Sequence, residues 1–482
     1  MNQLLTVVDI LAISPMLILL TGLVLVLLVE SFSKAPKRYV FPLTVATLSI
    51  ALIASFYAPV SDHALLTHWI RFDPPGEFFT RFFIFIGLGT AFLASSFFRQ
   101  VKTSEGEYYF LLLSSLIGLI LIGIAADFLT LFIGLETLSI SLYILCGYIK
   151  GWKLSHEAAI KYFLIGALAA AILLYGIALI YGAIGTTRFA LMLEGYKHIS
   201  TTAHTTLFLS GIALVTAGLA FKAAIVPFHA WAPDVYAGSP TPVTAFMSTG
   251  TKVGAFAAFI IVFTIALPNF HPLWNQCVAL LAYPTIVFAN IVALRQTHLR
   301  RFFAYSGISH AGFLLIPLAS GGPDALSSLL FYLVVYATAT FGAFATITFL
   351  DHHEGEDISI KSLTGLFYRS PFLGCIMGIC LLTLAGLPPT AGFLAKFYIF
   401  KVAFEADNYA LVIVGLLMSV LSVFYYTRIV GLIFSKENGE RESLSPLWMT
   451  STVAIAALFG VIALSVNPEM ILMAIQFINR RN

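Results

Sequence analysis

Long apolar stretches recur along this chain, and they restrict its fold more than any other feature. A run of ~20 mainly apolar residues is long enough to cross a bilayer as a helix. Lipid offers the backbone no hydrogen-bond partner, so only helices and closed barrels can span it. Fourteen such runs can be read, at about 11–31, 38–58, 78–98, 108–125, 127–149, 157–184, 205–238, 241–267, 275–293, 301–319, 325–350, 371–404, 409–434 and 448–472. Barrel strands need only ~9–11 residues, so the sequence predicts an all-α polytopic membrane protein. Composition agrees: 59% of residues are hydrophobic and 10% charged, against ~25% charged in soluble domains. The first run, Leu11 to Val29, follows no basic segment and is long enough to span. It is therefore expected to stay rather than be cleaved as a signal.

Other classes recede on the same grounds. The net charge is +3 and no basic run suggests nucleic acid. The four cysteines, Cys146, Cys277, Cys375 and Cys380, form no CxxC pair and read as buried small apolar residues. No iron–sulfur spacing, GxGxxG fingerprint or phosphate-binding loop occurs, so no redox centre or nucleotide site is expected on this chain. The histidine pair His352–His353 lies in an acidic loop and is not read as a metal site.

Basic residues set the orientation, because Lys and Arg concentrate on the cytoplasmic side. With the N-terminus outside, inner loops hold Lys34, Lys37, Arg38, Arg99, Lys102, Lys150, Lys153, Arg295, Arg300, Arg301, Lys361, Arg369, Lys436 and Arg441. The outer side holds Arg71, Arg81, Arg188, Lys197, Lys401, Arg480 and Arg481, half as many. Both termini are expected to face out, on the periplasmic side.

Two runs are too long for one straight helix, and both contain proline. The seventh carries Pro227 and Pro233, and the twelfth carries Pro388–Pro389 between Gly386 and Gly392. Proline removes a donor and clashes with the preceding turn, so both helices should be interrupted. Counted in fives, spans 4–8 and 9–13 form two blocks, each with its broken helix fourth. Five is odd, so the second block enters the membrane inverted, the pattern of an inverted-repeat transporter. The expected division is 1–107, a three-helix segment; 108–268, the first repeat; 269–435, the second; and 436–482, a C-terminal helix.

Four charges sit deep inside these runs: Glu136, Lys222, Lys252 and Lys396. A charge at mid-bilayer costs at least ~2.5–3.5 kcal/mol, and such residues commonly bind or move ions. Glu136 lies in FIGLETLSISLY, with Thr137, Ser139 and Ser141 as polar neighbours. Burial disfavours the charged form of a lysine, and a nearby carboxylate favours it. A lysine whose acidic partner approaches and withdraws therefore takes up and releases a proton. Glu136 is the central acid available for this role. His229, beyond the first break, and His310, in YSGISHAGF, are candidate relays, since imidazole titrates near neutral pH. Lys161 and Arg428 lie near span ends, where snorkelling accounts for them.

Several of these stretches resemble the antiporter-like subunit N family of respiratory complex I. The most specific is FKAAIVPFHAWAPDVYAGSPTPVTAFMSTGTKVGAF, residues 221–256; GLPPTAGFLAKFYIF, YSGISHAGF and DFLTLFIGLETLSISLYIL add to it. The resemblance implies that Glu136 pairs with Lys222, that Lys252 and Lys396 continue a polar path, and that Lys161 and His310 take part. It departs at Gly307, where relatives often have serine, which is expected to loosen packing near His310. Subunit M typically has glutamate where Lys396 stands. Subunit L continues into a long lateral helix, which a chain ending at Asn482 is expected to lack.

The resemblance further implies a proton-translocating subunit of NADH–quinone oxidoreductase in a bacterial inner membrane. It implies FMN, iron–sulfur clusters and quinone in partner subunits, with none on this chain, and neighbours that include subunit M and the adjoining small subunits. The alternatives are an Mrp-type cation/proton antiporter subunit and a structural scaffold with inert charges. A plastid or cyanobacterial homologue fed by ferredoxin is a variant within the family.

Overall fold

The computed structural model describes residues 5–101, 105–199, 201–351, 358–436 and 448–469. Lys102, His352, His353, Arg441, Arg480 and Arg481, and the last residues of the fourteenth run, lie outside them. Among the described residues the chain is helical and has no strand beyond isolated bridges.

Thirteen helices among the described residues are long and apolar enough to cross a membrane. We label the spans α1 (Ser14–Phe32), α2 (Pro36–Tyr57), α3 (Pro74–Val101), α4 (Gly106–Ile124), α5 (Phe128–Cys146) and α6 (Lys153–Ile184). The broken seventh is α7a (Thr202–Lys222) and α7b (Trp231–Gly238), followed by α8 (Thr241–Ala266). Then come α9 (His271–Leu294), α10 (Leu299–Ser320) and α11 (Ala325–Leu350). The twelfth crossing is made by two halves, α12a (Pro371–Ala385) and α12b (Ala391–Glu405), each too short alone. The last two are α13 (Tyr409–Phe434) and α14 (Trp448–Val466). The expected turn after α4 is present: Asp127 caps α5 by accepting from the Thr130 N–H at 2.6 Å.

The two blocks repeat the same packing. α4 lies against α5 as α9 lies against α10, and α6 against α7a as α11 against α12a and α12b. Helices α1 and α2 pack beside α4, and α14 rests on α11 and α3. The core runs between the repeats: α10 and α11 are almost wholly buried, whereas α1 and α13 present much of their surface outward.

Each break occurs where proline and glycine predict it, with differences in detail. Residues 223–230 separate α7a from α7b and contain Pro227, while Pro233 sits in the first turn of α7b, a position proline tolerates. At the second break Gly386 adopts φ +79°, a left-handed cap that favours glycine. Gly392 is required by closeness: a Cβ there would lie 1.7 Å from the Thr383 carbonyl oxygen. The sequence did not foreshadow two π-helical stretches in α8, Met247–Thr251 and Ile261–Ala266. The cysteine expectation is corrected in part. Cys146 and Cys380 are buried, but Cys277 and Cys375 are exposed on the outside of the bundle, where lipid solvates a small apolar side chain as well as a core does.

Candidate functional site

The interrupted helices leave backbone carbonyls without helical partners, and lipid cannot satisfy them. Protein groups do. At the end of α7a, the Trp231 indole donates to the Phe221 carbonyl at 3.0 Å. The Lys252 ammonium donates to the next free carbonyl, Ala223, at 3.0 Å, and to Gly307 of α10 at 2.9 Å. At the end of α12a, the Lys396 ammonium donates to the Ala385 carbonyl at 2.8 Å. In each repeat, then, a buried lysine caps the negative end of a half-helix, where the backbone dipole favours a cation.

Lys222 closes α7a and is 4% exposed. Its ammonium donates to Ser139 Oγ at 2.5 Å and reaches Glu136 Oε1 at 3.4 Å. Glu136 and Ser139 lie three residues apart on α5 and so share a face. The Glu136 side chain is 22% exposed, between the outward-facing Ile133 and Ile140. Lys252, 3% exposed, directly follows the first π-helical stretch of α8. That stretch displaces the Ser248 carbonyl, which accepts from Tyr336 of α11 at 2.9 Å.

His310 of α10 is held from both sides. Its Nδ1 meets the Tyr332 hydroxyl at 2.7 Å and its Nε2 meets the Tyr426 hydroxyl at 3.1 Å. Tyr426 is bonded in turn to Ser306, one turn back on α10. Lys396 uses all three donors: besides Ala385 it reaches Ser422 at 3.0 Å and Ser419 at 3.1 Å, both on α13. A cavity of about 10 Å³ lies between His310, Tyr332, Thr383 and Lys396. That is room for about one water, and the lining is polar enough to hold it.

Five of the seven sequence-predicted residues therefore fall on one line through the middle of the bundle: Glu136, Lys222, Lys252, His310 and Lys396. Lys161 does not. It lies about 40% exposed toward the opposite end of α6, paired with Glu157 at 2.7 Å and with Asp234 at 2.6 Å. Asp234 also meets Arg301 at 3.5 Å. His229 sits half-buried within the first break with its ring on Phe288, 4.8 Å between centroids, apart from that line. A side chain at Gly307 would face Tyr336 Oη at 3.1 Å and Lys252 Nζ at 3.7 Å; the Tyr336 ring lies against His310, 5.0 Å between centroids. Ser139, noted in the sequence as a polar neighbour of Glu136, is bonded to Lys222; the hydroxyls of Ser306, Tyr332, Tyr336, Ser419, Ser422 and Tyr426 were not anticipated. Their signal was present as same-face polar spacings in apolar helices, Tyr332/Tyr336 and Ser419/Ser422.

A bundle of two inverted repeats, each with a lysine-capped broken helix, defines a class. Residues 125–422 match the family described as "NADH:quinone oxidoreductase/Mrp antiporter, TM", and the chain belongs to that family. A NADH-quinone oxidoreductase subunit N from Protochlamydia amoebophila is 54% identical over 470 residues, covering 97% of this chain and 98% of its own. A chain of respiratory complex I from Thermus thermophilus matches with a TM-score of 0.78 at 31% identity, covering 95% of this chain and 98% of that one. A chain of the Mrp complex from a Dietzia species shares the fold, with a TM-score of 0.80 at 20% identity over 97% of this chain and 96% of its own.

Proposed function

We propose that this chain is a proton-translocating, N-type membrane-arm subunit of a bacterial NADH–quinone oxidoreductase. The observation that carries the reading is the line of buried ionisable and hydroxyl groups from Glu136 to Lys396, crossing from one repeat to the other. The resemblance to chains bearing that name supports the assignment to such a complex.

In this reading a displacement of α5 or α7a changes the Glu136–Lys222 separation. With the carboxylate withdrawn, Lys222 holds its proton less strongly. Because Lys252 grips Ala223, the residue next to Lys222, the same movement alters the seat of Lys252. His310, between two phenols, passes a proton by accepting at one ring nitrogen and donating at the other. Lys396 exchanges with it across the water-sized gap. Each charge moved against the membrane potential costs ~2.3 kcal/mol per 100 mV. The energy comes from electron transfer in partner subunits, which carry the FMN, the iron–sulfur clusters and the quinone site. Subunit M and the small subunits beside it are the neighbours in this reading. Both termini lie on the periplasmic side, and Lys161 and His229, off the line, serve at its entry.

The test is the proton-to-electron ratio of the assembled enzyme in sealed vesicles. Lys222→Ala and Glu136→Gln are each expected to lower it while assembly is retained; an unchanged ratio in both overturns these roles. The fold shared with an Mrp chain supports a second reading, a cation/proton antiporter subunit. Sodium-coupled proton exchange by the purified, reconstituted chain alone would select it.

A further inference from the structure

We propose that the pocket at Arg71, on the side where α1 begins, holds the phosphate of a zwitterionic, ethanolamine-type phospholipid, and that this lipid fastens the N-terminal helices to the first repeat. The proposal is independent of the proton-relay reading.

Arg71 lies in the loop between α2 and α3. Its main-chain N–H donates to the Ile124 carbonyl at 2.7 Å and its Nη2 to the Gly123 carbonyl at 3.1 Å, so it closes the end of α4. Capping occupies only one guanidinium nitrogen. Nε and Nη1 are buried and have no hydrogen-bond partner among the described residues, although Nη1 lies 3.4 Å from Asp73 Oδ2. Burial pushes the guanidinium below its ordinary pKa despite Asp73, the mark of a cation short of partners. A buried donor left without an acceptor costs ~1–3 kcal/mol, and more when charged. Arg71 stands in the wall of a pocket of about 60 Å³, the space of ~two waters. That suits one phosphate group, with the rest of a lipid outside the mouth.

Charge selects the headgroup. Glu77, also in the wall, holds Arg81 at 2.9 Å. Arg71, Arg81, Asp73 and Glu77 together sum to zero, so a bare anion gains little there. A headgroup with one charge of each sign is matched: its phosphate accepts from Arg71, and its ammonium meets Glu77, whose side chain is 43% exposed. Depth selects a lipid. Tyr57 and Trp69, in the same connection, are exposed, as aromatic side chains are at headgroup level. A short helix, Val7–Ala12, ends in the pocket wall at Ala12. It turns Val7, Val8, Ile10 and Leu11 outward and its acid, Asp9, inward to Ser61, the arrangement of a segment lying against acyl chains. The walls come from α1, α2, α3 and α4, so a lipid seated here bridges the N-terminal segment and the first repeat.

The experiment uses the full chain in mild detergent, stripped of lipid, with native mass spectrometry reading what it retains. The probes are dioleoyl phosphatidylethanolamine, dioleoyl phosphatidylglycerol and inorganic phosphate. One tightly held phosphatidylethanolamine per chain is expected, with both other probes bound more weakly. Arg71→Gln should weaken it about tenfold or more, the worth of one charged hydrogen bond. Ala58→Trp, in the wall, fills the pocket without touching a charge and should weaken it likewise. Lys197→Gln, exposed on the same side, should leave it unchanged. If Arg71→Gln does not fold because α4 loses its cap, Ala58→Trp decides alone. No retained lipid, or equal retention by the wild type and Ala58→Trp, overturns the site. Phosphatidylglycerol held as tightly as phosphatidylethanolamine overturns the zwitterionic headgroup. Phosphate that displaces the lipid at equal concentration marks a free-anion site and overturns the lipid.

Discussion

His310 has a phenol on each ring nitrogen, and this makes the hydroxyls separable from the rings that carry them. Tyr332→Phe keeps the ring packing and removes the bond to Nδ1. It should lower the proton-to-electron ratio in vesicles without reducing assembly. Tyr425→Phe is the matched contrast, because Tyr425 donates its hydroxyl to Asn290 at 3.0 Å rather than bonding His310. It should leave the ratio alone and cost about 1 kcal/mol of stability, the worth of one ordinary hydrogen bond. The acid and the lysines could be read in the sequence because charge in an apolar run stands out against its surroundings. The serines and tyrosines could not, because a hydroxyl in a membrane helix commonly bonds its own backbone, as Thr216 does to Ile212. Which hydroxyls turn inward is decided by neighbouring helices, and the sequence leaves only a faint trace of it, in same-face pairs such as Tyr332/Tyr336 and Ser419/Ser422. The same limit applies to Gly307: its departure was visible, but its neighbours, Tyr336 and Lys252, come from other helices.

The breaks are where single residues control whole helices. Gly392 brings the first turn of α12b against the backbone of α12a, and a methyl group there would overlap the Thr383 carbonyl. Gly392→Ala should therefore destabilise by about 1–3 kcal/mol or more, as overpacked cores do. The yield of assembled complex and its thermal midpoint in detergent measure this. Span positions and both interruptions were legible, since apolar length and proline placement act locally. The π-helical stretches of α8 were not; the first is held from outside, where Tyr336 donates to the Ser248 carbonyl. The two halves also break differently. Eight residues follow the first break as α7b, while fifteen follow the second as α12b. The shorter α7b is anchored by Trp231, which stacks on Tyr162 at 4.6 Å.

At the scale of the molecule, one buried cluster ties the repeats together at the face where α8 and α10 begin. Arg300 of α10 donates to the Ser239 carbonyl, in the joint between α7b and α8, at 2.8 Å. It also faces Asp351 at the end of α11, 3.9 Å away, and Thr241 bonds to the same carboxylate. Arg300 is fully buried. Arg300→Met should cost about 3–5 kcal/mol by leaving a buried carboxylate short of its cation, read as a lowered unfolding midpoint. Lys161→Met, at a half-exposed pair, should cost about 0–1 kcal/mol.

The lysines that cap the broken helices give protonation a mechanical meaning. An ammonium at Lys252 fastens α7a to α10 through two carbonyls, and one at Lys396 fastens α12a to α13 through two serines. A neutral amine has one donor fewer and no charge with which to hold a dipole. Every proton that departs therefore loosens a hinge, and every proton that arrives locks one. A push on the backbone and a change of charge become two descriptions of one event, so force arriving from a neighbouring subunit can be converted at these joints without any dedicated lever.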